Sequence, residues 1–85
     1  MAQILPYVSP NISFDPETLS ILSDALEKAW QRIEASNSRF ARPAYANAGR
    51  EVIAKHIIEM AQRGEREPSE LADSAVAFLA ANYMD

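Results

Sequence analysis

Between Ala44 and Arg63 apolar residues recur at helical spacing. At about 100° per residue, Ala46, Ile53, Ile57, Met60 and Ala61 share one side, widened by Tyr45 and Val52, while Glu51, Lys55, Glu59 and Gln62 take the other. Roughly half the circumference is apolar, more than a helix facing one neighbour needs, so the pattern predicts a central helix with two partners. The flanking sequence supplies them. Leu19, Leu22, Leu26, Ala29, Trp30 and Ile33 form a stripe that predicts an amphipathic helix over residues 16–36. Leu71, Ala75, Phe78 and Leu79, extended by Ala72, Val76 and Tyr83, do the same for residues 68–83, leaving Ala77, Ala80 and Ala81 outside the stripe.

The helix boundaries are marked by local chemistry. Asp15-Pro16-Glu17-Thr18 reads as an N-cap, a proline at the first helical position and an acid near the positive end of the helix dipole. Glu67-Pro68-Ser69-Glu70 repeats that start without repeating the stripe behind it. The central helix, expected over residues 44–63, has two candidate starts: Pro43 at its first position, or Asn47 as N-cap with Glu51 following. Gly64 marks its end as a left-handed cap. Residues 37–43 form an antiparallel return.

Residues 1–14 carry Ile4, Leu5, Tyr7, Val8, Ile12 and Phe14, too apolar for a disordered tail, yet Pro6 and Pro10 forbid a long helix. An extended N-terminal arm over residues 1–14, packed on a single helical-bundle domain over residues 15–85, follows. The fold class expected is an all-α three-helix bundle. Trp30, Leu26, Ile53, Ile57, Phe78 and Leu79 are expected among its most buried residues.

A chain of 85 residues can build only one core. It has no cysteine, which removes disulfides, thiolate metal sites and cysteine nucleophiles and fits a reducing compartment, with cytoplasm the expectation. The first residues lack the charged region of a secretory leader, and no apolar run approaches the roughly 20 residues of a membrane span. A net charge of −4 argues against nucleic acid and anionic membrane as partners.

Catalytic chemistry is sparse. His56, the single histidine, borders the apolar side of the central helix with Glu59 one turn on. One imidazole and scattered carboxylates cannot close a metal shell, so no metal or other cofactor is expected, and His56 is read as structural or interfacial. Ser74 lies inside the last helix without a glycine elbow to expose it, and Gly49 and Gly64 stand too far apart for a phosphate loop. Asp73-Ser74 also fails as an acyl-carrier site, because that serine should open a helix and precede leucine. No catalytic residue is assigned.

The charges are nonetheless uneven. Arg39, Arg42 and Arg50 fall in a stretch with no acid, beside Phe40 and Tyr45, a candidate anion site. The alternative is that these arginines pair with acids elsewhere, with Arg50 burying its stem. Glu51, Lys55, Glu59 and Arg63 alternate in sign at four-residue spacing, a solvated row whose pairs each add about 0.2 to 0.5 kcal/mol to the helix.

Phe14-Asp15-Pro16-Glu17-Thr18, Ala29-Trp30, Ala54-Lys55-His56-Ile57-Ile58-Glu59 and Gly64-Glu65-Arg66-Glu67-Pro68 together resemble small α-helical proteins of proteobacteria whose function is unknown. The resemblance implies a small helical fold and transfers no activity or site residue.

The expected function is a small helical interaction or regulatory module, a homodimer or the ligand of a protein partner, without catalytic activity of its own. Ile4, Leu5, Tyr7, Val8, Ile21 and His56 are the expected interface. The alternative is a helix-turn-helix-like nucleic-acid or anion binder using Arg39, Arg42 and Arg50. Its recognition helix would open with Glu67, Glu70 and Asp73, which repel phosphate.

Overall fold

Three helices form where the stripes and caps place them: α1 over Pro16–Ala35, α2 over Pro43–Gln62 and α3 over Pro68–Tyr83. The computed structural model describes residues 4–8, 12–36 and 42–83, and among these there is no strand. Each helix touches both others, so the chain is the expected all-α three-helix bundle.

The caps explain the boundaries. Asp15 is extended (φ −72°, ψ 164°) and its carboxylate accepts the Thr18 N–H at 2.8 Å, while Pro16 opens α1 without needing a donor. That hydrogen bonding from Thr18 holds the Asp15 carboxyl below its usual range. The start of α2 is resolved in favour of Pro43. Arg42 occupies the N-cap position with no side-chain capping bond, and Asn47 lies inside the helix. At the other end Gly64 adopts φ 105°, its N–H reaches Ala61 O at 3.0 Å, and the Glu65 N–H reaches Met60 O at 3.1 Å. These two bonds are those of a Schellman cap. Arg66 then donates to the Ala61 carbonyl and lies over the Phe14 ring at 5.9 Å, tying the α2–α3 turn to the segment before α1.

The core follows the stripes. Leu22, Leu26, Trp30 and Ile33 of α1, Ile53 and Ile57 of α2, and Leu71 and Leu79 of α3 are buried together. Phe78 departs from expectation, with 37% of its surface exposed. Leu71, Ala75, Leu79 and Ala72 occupy the inner positions of α3, which leaves Phe78 at the edge of the stripe facing α2.

The N-terminal arm also differs. Leu5–Tyr7 is a short 3₁₀ turn rather than extended chain, closed by the Tyr7 N–H on Ile4 O at 2.9 Å. Ile4 is fully enclosed in the core, and its N–H donates to Ser23 Oγ at 3.2 Å. Tyr7, Val8, Ile12 and Phe14 are partly buried against the same cluster.

Candidate functional site

The hairpin of α2 and α3 turns at Glu65, so residues equally far from Glu65 face each other. His56 meets Ser74, and Val52 lies across from Phe78. His56 Nε2 and Ser74 Oγ are 2.8 Å apart. The imidazole is stacked on the Phe78 ring, centroids 4.7 Å apart and planes 20° from parallel. Around this stack Glu51, Val52, Lys55, His56, Glu59 and Phe78 line an open recess of about 350 Å³. Lys55 pairs with Glu51 at 2.9 Å and Arg63 with Glu59 at 3.1 Å, so the outer rim carries alternating charge.

Partial burial lowers the His56 pKa, Glu59 opposes that by stabilising the imidazolium, and Arg63 adds to the lowering. At neutral pH the ring is therefore neutral. A serine and a neutral imidazole at hydrogen-bonding distance are two parts of a nucleophilic site. The third part, donors aimed at a developing oxyanion, does not fit Ser74, because it sits mid-helix where neighbouring N–H groups serve helical carbonyls. Phe78 also covers one face of the ring. The pair therefore orders the α2–α3 seam and aims Phe78. His56, expected to be structural or interfacial, meets the Ser74 hydroxyl, and the equal distance of the two residues from the turn is the sequence signal of that pairing.

The other expected site residues are dispersed. Arg50 turns onto α1, with its guanidinium 4.7 Å from the Trp30 ring centroid. Arg42 is exposed two turns earlier, at the mouth of α2, about 12 Å away along the axis, and Arg39 lies outside the described residues. The expected anion cluster is thus not assembled around Arg50. Of the expected interface, Ile4 has no surface left for a second chain, whereas Tyr7, Val8, Ile21 and His56 are half-buried. Leu5 contributes its backbone to the 3₁₀ turn.

A second recess of about 380 Å³ lies between the end of α1 and the start of α3, lined by Lys28, Gln31, Arg32, Ala35 and Ser69. Arg32 is held there by an ion pair with Asp73. No group of three or more potential metal ligands occurs among the described residues, and no described helix is long and apolar enough to cross a membrane. No protein-family model matches the chain, and comparison with curated proteins and with solved structures returns no match.

Proposed function

We propose that this protein is a small helical interaction module, without catalytic activity of its own, that self-associates through the face shared by α2 and α3. One observation carries the reading: Phe78 is a large apolar side chain held at the surface in a fixed orientation by its stack on His56. Aromatic side chains fixed in advance lose little entropy on binding, which is why they anchor interfaces. The surroundings suit that role. Ala77, Ala80 and Ala81 are exposed and small, Val52 is half-buried beside the ring, and Tyr45 of α2 is 46% exposed. The N-terminal segment, by contrast, serves the chain's own core.

The nucleic-acid alternative loses support on this geometry. Arg50 is engaged with Trp30, and α3 carries Glu70 and Asp73 with no basic residue. A reducing compartment such as the cytoplasm suits a chain without cysteine.

Sedimentation velocity over a concentration series tests the proposal. The expected result is a dimer whose dissociation constant rises at least about tenfold in Phe78→Glu with the helical circular dichroism unchanged. A wild-type chain that stays monomeric at about millimolar concentration, the weak end of specific affinity, would sink it.

A further inference from the structure

The rim of the recess specifies how two copies would meet. From the positions of Glu51, Lys55, Glu59 and Arg63 we infer that the α2–α3 face takes a second copy of this chain across a two-fold axis passing midway between Lys55 and Glu59. This rests on the self-association proposed above and adds its register.

The four side chains lie about one helical turn apart along α2 and its C-cap residue Arg63, and they alternate in sign. All are exposed, with side-chain accessibilities between 55% and 68%. Read in the opposite direction, the row has every sign reversed. A two-fold axis runs the partner's row in that opposite direction, so Glu51 meets the partner's Arg63 and Lys55 meets the partner's Glu59, each twice by symmetry. Moving the axis by half a turn, onto Lys55 or Glu59, sets like charges opposite each other. Parallel pairing in register does so along the whole row. Only the central antiparallel register matches all four.

Packing geometry agrees with the charges. Rows at four-residue spacing incline about 26° to the helix axis, and aligning two of them crosses the helices at about 50°, the commonest crossing class in globular proteins. Glu51, Lys55 and Glu59 line the same recess as Phe78 and Val52. The charged rows would therefore border an apolar centre, an arrangement in which rim charge selects orientation more than it adds affinity. A specific contact needs about 800 Å² from each partner, less than a sixth of the chain's 5211 Å² of surface.

Charge reversal with the intact chain tests the register. Lys55→Glu and Glu59→Lys each create two like-charge contacts across the axis and should each weaken the dimer about tenfold. The double variant Lys55→Glu/Glu59→Lys again has opposite signs at all four contacts and should return to within about threefold of wild type. An equimolar mixture of the two single variants should likewise pair better than either alone. Circular dichroism controls for loss of the in-chain pairs. If wild type dimerises but the single reversals leave its dissociation constant unchanged, or the double variant fails to recover while remaining helical, the register is wrong and self-association stands. A monomeric wild type overturns both.

Discussion

Phe78 lies nearly parallel to the His56 imidazole, with ring centroids 4.7 Å apart, while the same imidazole meets Ser74 through Nε2. Both ends of this contact belong to different helices, so a surface aromatic is positioned by the seam between α2 and α3 rather than by its own helix. A rotation of either helix would move it.

The first prediction concerns pH. Burial lowers the His56 pKa in the folded chain, so folding opposes protonation. Its contribution is complete above the unfolded histidine value of about 6.5 and is lost as pH falls from there through the depressed folded value, below which it levels off. Urea midpoints measured from about pH 8 to about pH 5 should decline over that window, and the part of the decline due to His56 should disappear in His56→Gln. An unaltered profile in that variant would show that the imidazole is not desolvated enough to matter.

Ile4 provides the second. Its side chain is fully buried, so Ile4→Ala should destabilise the fold by about 2 to 5 kcal/mol in chemical denaturation. Deleting residues 1 to 10 should act the same way and lower the melting temperature. Loss of self-association without loss of stability would instead make the segment an interface element.

Trp30 and Arg50 give the third. Trp30 is 7% exposed and the Arg50 guanidinium covers it, so Trp30→Ala should cost about 3 to 5 kcal/mol. Arg50→Met keeps most of the stem and should cost about 0.5 to 1 kcal/mol, the cation–π part alone. Far-ultraviolet circular dichroism during urea unfolding measures both, and a neutral Trp30→Ala would refute the assigned core.

The fourth separates backbone from side chain at Gly64. An added Cβ would meet nothing within 4 Å, yet φ is 105°. Gly64→Ala should therefore destabilise by about 1 to 2 kcal/mol through backbone conformation alone, with Gly64→Asn costing less. Equal stability of all three chains would contradict the cap.

The three helices were legible because each combines a stripe at helical spacing with a chemical start signal, and Asp15, Pro16, Pro68 and Gly64 act locally. Where local chemistry was weak, the reading stayed open: Arg42 provides no cap, so nothing near Pro43 outweighed Asn47 until tertiary packing chose. Phe78 was misplaced because a helical wheel gives direction but not which side of a stripe lies between helices. The arm was read as extended from its prolines. A proline fixes one dihedral and removes one donor, but it does not prevent the 3₁₀ turn, in which Tyr7 supplies the N–H. His56–Ser74 required knowing that the hairpin turns at Glu65, and the dispersal of Arg42 and Arg50 required knowing that Trp30 attracts the latter.

The buried position of Ile4 also orders events during synthesis. The 3₁₀ turn packs against α2, whose residues follow it by about forty positions, so the turn has no finished site until α2 has been made. Until then it is exposed on a nascent chain. The native core closes from its beginning only after most of the chain is present, which makes folding of this small domain cooperative across its full length rather than progressive from one end.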